Sequence, residues 1–156
     1  MRGILHALKY GGRRAIARPL GRLMREQRAE VLHGAHFVVP VPLHWRRHWN
    51  RGFNQAAELA AAIGLPVLHA LRRARPTASQ TDLPAEERHA NVRRAFSVRE
   101  RAGRRLRGAC VVVVDDVRTT GATLEACAEA LGRAGVSEVR TLTAARVVIP
   151  PHARRD

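Results

Sequence analysis

The chain has 156 residues, a length that suits one domain with a single core. Its 46% hydrophobic content is that of a globular protein, and no Gly, Ser or Pro excess marks a disordered or fibrous stretch. The formal charge of +15 leaves anionic partners open, but Lys9 is the only lysine, and arginine in place of lysine is also what a GC-rich coding sequence gives, so charge alone names no substrate.

No apolar run approaches the roughly 20 residues that span a bilayer, and the N-terminus lacks the apolar stretch of a signal peptide. The expectation is a cytoplasmic protein without membrane insertion. Cys110 and Cys127 lack CxxC spacing and nearby histidines, and read as buried thiols. Lys9 is followed by Tyr10-Gly11-Gly12 rather than by the Ser or Thr of a P-loop, which removes Walker-type ATPases, and HExxH and GxSxG are both missing.

Taken in chain order, Ile16, Leu20, Leu23, Met24 and Val31 predict one amphipathic helix from Ala15 to Leu32. Phe37 to Pro42 predicts a short strand closed by prolines, and Asn54 to Ile63 a helix stopped by Gly64-Leu65-Pro66. Val67 to Leu71 is a weak strand. Arg72 to Asn91 has no sustained apolar period, and an excursion of that length inside one domain is a candidate lid, taken here as 72–96. Ala109 to Val114 is the clearest element, an apolar run typical of a strand buried on both faces, followed by Asp115-Asp116, a turn and a helical pattern from Leu124 to Ala134 that Gly135 ends. Val139 to Val148 supplies another strand. This alternation predicts an α/β domain, a mostly parallel central sheet flanked by helices, over residues 1–156 without an internal boundary.

The string Val111 to Thr123 carries the chemistry. Asp115 and Asp116 stand at the C-terminal end of a buried strand, where open α/β sheets bind ligands. The turn Arg118, Thr119, Thr120, Gly121, Ala122, Thr123 opens a helix and can wrap a phosphate with main-chain N–H groups, with Gly121 permitting close approach. The carboxylates suit the other half of a sugar phosphate, taking hydrogen bonds from ribose hydroxyls or ordering water on Mg²⁺. The plainer reading is a strand end followed by a threonine N-cap. His44, Arg47, Arg51 and Asn54 follow the first strand and offer donors for a polyanion on the same sheet edge. Trp45 and Trp49 alternate with basic residues, a pattern that stacks bases of single-stranded nucleic acid and equally fits two rings on one helix face. Glu86 and Glu87 read either as general bases or as dipole-complementing residues of a helix start.

The string resembles the phosphoribosyl-pyrophosphate (PRPP) motif of type I phosphoribosyltransferases. Leu8-Lys9-Tyr10-Gly11-Gly12-Arg13, Pro40-Val41-Pro42-Leu43-His44, Arg51-Gly52-Phe53-Asn54-Gln55, and Gln80 with Arg88, Asn91, Val92 and Phe96 extend the resemblance to the ComF family, including its GntX-like members, over nearly the whole chain. What the resemblance implies is the type I phosphoribosyltransferase fold with a hood over the site and binding of PRPP with Mg²⁺. In such a site Asp115 and Asp116 hold ribose and, through water, the metal. Arg51 faces the departing pyrophosphate, and Arg88 in the hood touches the substrate. If the protein is active, the reaction is phosphoribosyl transfer to a nitrogen acceptor. The family is associated with DNA uptake in competent bacteria, which keeps a non-catalytic, single-stranded DNA or competence-protein binding role as the alternative. Longer members carry a zinc-binding segment ahead of the Lys-Tyr-Gly-Gly stretch, where this chain begins, so zinc is not expected. Relatives usually have a small or apolar residue where Arg118 stands. Its cation either helps hold phosphate or competes with Mg²⁺ for the carboxylates.

Overall fold

The computed structural model describes residues 14–43, 53–73 and 95–147. In chain order its elements are α1 (Arg14–Gln27), α2 (Ala29–Leu32), β1 (Phe37–Pro40), α3 (Gln55–Ile63), β2 (Leu71–Arg73), β3 (Phe96–Val98), α4 (Glu100–Leu106), β4 (Cys110–Arg118), α5 (Ala122–Arg133) and β5 (Glu138–Arg146).

Four consecutive valines, Val111 to Val114, make β4 apolar on both faces, and such a strand is stable only mid-sheet with a layer on each side. β1 pairs with it in parallel on one edge, with Val38 opposite Val112, and β5 on the other, with Val112 opposite Arg140. Val67 adds one parallel bridge to Val38. Alternation along β4 sends Val112 and Val114 into a core with Ala17 and Met24 of α1, Leu32 of α2 and Leu59, Ala60 and Ile63 of α3. Val111 and Val113 enter the opposite core, with Phe96 of β3, Leu106 of α4 and Leu124, Cys127 and Leu131 of α5. The result is the predicted α/β layering, a parallel sheet between two helical layers.

Local chemistry explains most boundaries. The Asn54 side-chain oxygen accepts from Ala56 N at 3.1 Å and caps α3, and Gly64 ends it in the left-handed region at φ 86°. α1 crosses α3 at Gly21, where a Cβ would lie 2.5 Å from the Ala62 Cβ and 2.9 Å from the Leu59 carbonyl oxygen, so only glycine permits that approach.

Four boundaries differ from the sequence reading. The single helix predicted over 15–32 is two, because Arg28 leaves helical backbone (φ −136°, ψ 38°) and α2 then turns Leu32 into the core. β4 does not stop at Val114. Its partner β5 runs on, placing Asp115 opposite Thr143 and Arg118 opposite Arg146, so the acidic pair lies inside the strand. The weak strand expected over 67–71 is the Val67 bridge followed by β2, which pairs antiparallel with β3. The two ends of the 72–96 excursion are thus strand residues, with Arg73 opposite Phe96, while residues 74–94 lie outside the described ones. Finally, α4 has no counterpart in the sequence reading. Only Ala102 and Leu106 of its seven residues are buried, too short a stripe to register as a period. Among the described residues no helix is long and apolar enough to cross a membrane.

Candidate functional site

The C-terminal edge of the sheet is assembled by three hydrogen bonds, two of them to β4. Val41 N donates to Val114 O at 2.9 Å, Asn54 Nδ2 donates to Val41 O at 3.1 Å, and Val147 N donates to Arg118 O at 2.9 Å. The first two bring the end of β1 and the start of α3 beside the point where β4 changes from valine to aspartate. Asn54 therefore uses its amide oxygen and one N–H inside the chain, as a helix cap and a tether.

Asp115 and Asp116 are both half-buried, but strand alternation separates them. Asp115 continues the Val111–Val113 face toward α5, and Asp116 continues the Val112–Val114 face toward α1 and α3. Asp115 Oδ1 accepts from Asp116 N at 2.9 Å, which holds the first carboxylate against its own strand. Behind it lies Cys127, fully buried, whose thiol is pushed up to about 12, first by burial and then by the charge of Asp115, with Arg73 acting in the opposite direction. Cys127 is therefore a protonated, inert thiol. Arg73 from the hairpin β2–β3, its guanidinium 5.3 Å over the Phe96 ring, shares this face with Asp115. The sequence reading left Arg73 and Cys127 out of the site, since only the antiparallel pairing of β2 with β3 brings the former near.

The turn after β4 is built around Gly121, at φ 94° and ψ −11°, a conformation glycine takes freely. Ala122 N reaches Thr120 Oγ1 at 3.4 Å, and Glu125 N donates to Gly121 O at 3.0 Å as α5 begins. Thr119 and Thr120 are exposed, and Thr123 is half-buried in the first turn of the helix. Arg118 folds across the turn: a Cβ at Gly121 would lie 3.1 Å from its Nε and 3.3 Å from its Nη2, with Glu125 Oε1 at 3.4 Å. Among the described residues Arg118 makes no ion pair with the acidic pair, so its cation is stationed at the turn.

His44, Arg47, Arg51, Trp45, Trp49, Arg88, Glu86 and Glu87 lie outside the described residues, as does Lys9. Among the described residues no three His, Cys, Asp or Glu side chains converge on one metal position. Cys110 is buried at the other end of β4, donating to Glu138 Oε2 at 3.4 Å.

A parallel sheet with helices on both faces, an acidic pair at the end of its central strand and a glycine turn entering a helix together define a domain of the phosphoribosyltransferase type. Residues 50–153 match the family described as phosphoribosyl transferase domain, and the chain belongs to that family. Its relatives give it a place within the ComF group. The DNA utilization protein YhgH of Escherichia coli K12 is 36% identical over 151 residues, covering 88% of this chain and 63% of YhgH. Competence protein F of Haemophilus influenzae is 35% identical over 143 residues, covering 85% of this chain and 60% of that protein. The chain thus spans under two thirds of the length of these relatives. Among solved structures, glutamine PRPP amidotransferase from Bacillus subtilis, complexed with ADP and GMP, superposes with a TM-score of 0.56 at 25% identity over 82% of this chain and 26% of that one. An allosteric regulatory enzyme of purine biosynthesis gives 0.53 at 24%, covering 83% and 26%, a likeness of fold.

Proposed function

We propose that this chain binds a phosphorylated ribose of the PRPP type, with Mg²⁺, at the C-terminal edge of its sheet, and transfers the phosphoribosyl group to a nitrogen acceptor. One observation carries the reading: a glycine turn at φ 94° joins a carboxylate-bearing central strand to a helix N-terminus, with exposed threonine hydroxyls and, over it, a guanidinium that makes no ion pair among the described residues. Each part has a task that a monophosphate ester and a ribose would use. The N–H groups entering α5 and the hydroxyls of Thr119, Thr120 and Thr123 donate to phosphate oxygens, and Arg118 adds charge. Asp115 accepts from a ribose hydroxyl on the α5 face. Asp116, on the other face, is the carboxylate free to order metal-bound water.

The donor set fits Mg²⁺, a hard cation that prefers oxygen and commonly keeps several waters, held by one or two carboxylates and substrate phosphates rather than by a protein cage. Bound with the diphosphate, the metal supplies neutralisation of the leaving group. In transfer the bond from C1 to the pyrophosphate oxygen breaks and a C1–N bond forms, through an oxocarbenium-like centre from which a closed hood excludes water. Arg51, Arg47 and His44 are assigned to the pyrophosphate side, and Arg88 to the hood. The names of the relatives set this chemistry in DNA utilization and competence, the setting we propose for this chain.

Calorimetric titration with PRPP, with and without Mg²⁺, tests the reading. Saturable binding that strengthens with Mg²⁺ is expected. No binding, or equal binding in EDTA, overturns it.

A further inference from the structure

β5 ends the sheet. Among the described residues it pairs only with β4, so one long side of a nine-residue strand, about 30 Å from Glu138 to Arg146, has no neighbour. The hydrogen bonds at its two ends fix which groups that side presents. Ser137 N donates to Ala109 O and Val147 N to Arg118 O, both at 2.9 Å, so odd-numbered residues turn their main chain toward β4. Glu138, Arg140, Leu142, Ala144 and Arg146 therefore turn their N–H and C=O groups outward, and among the described residues nothing bonds them.

Edges that stay open in monomers are guarded by proline, lysine, a bulge or short length. β5 has none of these guards. It contains neither residue, its register against β4 runs unbroken from Glu138 opposite Cys110 to Arg146 opposite Arg118, and its middle, Thr141 to Ala145, is uncharged. Apolar surface gathers at the same edge. α3 lies over β1 and β4, whereas α1 lies beside β5. Gly21 of α1 faces Ala62 of α3, and Leu23, two residues on, is turned about 200° around the helix, to the flank on the β5 side. Leu23, 49% exposed, and Val147, 40% exposed and directly after β5, are the large apolar side chains left in water among the described residues. Both border the open edge, which makes a contact surface of what would otherwise be scattered exposure.

We infer that the β5 edge joins two copies of this chain into one continuous sheet, antiparallel about a two-fold axis at Leu142. The strand is self-complementary about that residue. Leu142 pairs with its own counterpart, Arg140 with the partner's Ala144 and Glu138 with the partner's Arg146, so every outward main chain enters a hydrogen-bonded pair, about ten bonds in all. Charge selects this register. Arg146 stands beside Arg118 of β4 and makes no ion pair among the described residues. The Glu138 side chain, bound to Arg140 on one side, is still 53% exposed, and in the dimer it faces the partner's Arg146. Centring the pairing on Arg140 or on Thr143 would instead set arginines face to face. On the α5 side of the sheet Thr141 meets the partner's Thr143, a cross-strand pair of the stabilising kind. Because the two strands run in opposite directions, the candidate ligand sites lie at opposite ends of the dimer, and the inference does not depend on what those sites bind.

Sedimentation velocity of the full chain over about 1 to 100 μM, without ligand, tests the inference, and a species of twice the 17.3 kDa mass is expected. Ala144→Pro removes an outward N–H while every bond to β4 stays in place, and should weaken the dimer at least about 30-fold with the circular dichroism of the fold unchanged. Arg146→Glu sets carboxylates against the partner's Glu138 at both ends of the interface, and should weaken it at least about tenfold. The register is read separately by Thr141→Cys with Thr143→Cys. Opposed residues of a non-hydrogen-bonded pair have Cα atoms about 4.5 Å apart, within reach of a disulfide, so this variant should run as a covalent dimer on a non-reducing gel. The native Cys110 and Cys127 are buried and should give no such band in the wild type. A chain that stays monomeric over the whole range, a dimer that keeps its affinity in both Ala144→Pro and Arg146→Glu, or a double-cysteine variant that does not cross-link overturns the proposal.

Discussion

At the N-terminal end of the sheet Arg140 donates to both oxygens of Glu138 at 2.8 Å and to the carbonyls of Val31 and His33, at 3.1 and 2.6 Å. Beside it His36 Nδ1 accepts from Cys110 N at 3.0 Å, and Ser137 Oγ donates to Gly108 O and Ala109 O. At the C-terminal end the side chains of Asp116, Arg118 and Thr119 have no hydrogen-bond or ion-pair partner among the described residues, although the strand, the cap and the turn that hold them are all hydrogen-bonded. One end spends its polar groups on tying α2, β1, β4 and β5 together. The other end keeps the scaffold closed and leaves these three side chains open. Groups satisfied within the chain contribute to stability, while groups left half-exposed and unpaired are those a ligand can recruit at little desolvation cost.

The comparison is broken most sharply by exchanging damage between the two ends. Asp115→Asn with Asp116→Asn keeps the side-chain shape but removes two acceptor charges, and charged hydrogen bonds of about 1.5 to 3 kcal/mol each make an affinity loss of at least about 100-fold the expected result. The loss should be larger with Mg²⁺ than in EDTA, where only the ribose contact of Asp115 is missing, with the thermal midpoint nearly unchanged. Arg140→Ala should do the reverse, lowering the thermal midpoint while the folded fraction binds PRPP as wild type does. If the aspartate variant loses stability and keeps its ligand, the assignment of roles to the two ends is wrong.

Gly121→Val comes next, and here the two effects mix. From the sequence the substitution reads as harmless to folding. At φ 94°, however, a β-branched residue costs about 1 to 3 kcal/mol, and its Cβ would press on the Arg118 guanidinium. Expected are a domain that still folds, an unfolding free energy from chemical denaturation lowered by about 2 kcal/mol, and loss of PRPP binding. Gly103→Ala is the control, with a Cβ in open space and a gain of up to about 1 kcal/mol from helix propensity. Smaller again is Asn54→Ala, which removes the cap of α3 and the tether to Val41 at a cost of about 1 kcal/mol, read by denaturant titration.

How much of this was legible in the sequence depends on the range of the forces involved. The four valines of β4, the Asn54 cap, the Gly64 stop and the glycine turn announce themselves because each is decided within a few residues. The separation of Asp115 from Asp116 was not legible. It follows from β5 continuing beside β4 to Arg146, a partner more than twenty residues away. β3 and α4 were missed for the same reason: three strand residues paired across 22 intervening ones, and a seven-residue helix held by Ala102 and Leu106 against the core, owe their form to tertiary contact. Arg73 reaches the Asp115 face only through that pairing. In contrast, the position of the Arg118 head beside the Gly121 turn, open from the sequence, is read directly from the structure.

The smallest expected effect is a pH dependence at the satisfied end. The hydrogen bonds from Arg140, and after them the one from Cys110, hold the Glu138 carboxyl below the usual glutamate range. A folded-state pKa below the unfolded one means that the unfolded chain binds the proton first. The stabilisation is therefore complete above the ordinary glutamate value of about 4.3 and is lost as pH falls through the lower folded value. Because the pair is solvent-exposed, the effect is modest and weakens with salt. Denaturation followed from pH 6 to pH 2 should show wild type losing more stability over the acid limb than Glu138→Gln, which has no carboxyl to protonate. The difference should shrink in 1 M salt and shrink further in an Arg140→Ala background, where the larger of the two donors that depress the carboxyl is gone and only the Cys110 hydrogen bond is left. An unchanged acid limb in Glu138→Gln would show that Arg140 stabilises the sheet through the Val31 and His33 carbonyls rather than through its carboxylate partner.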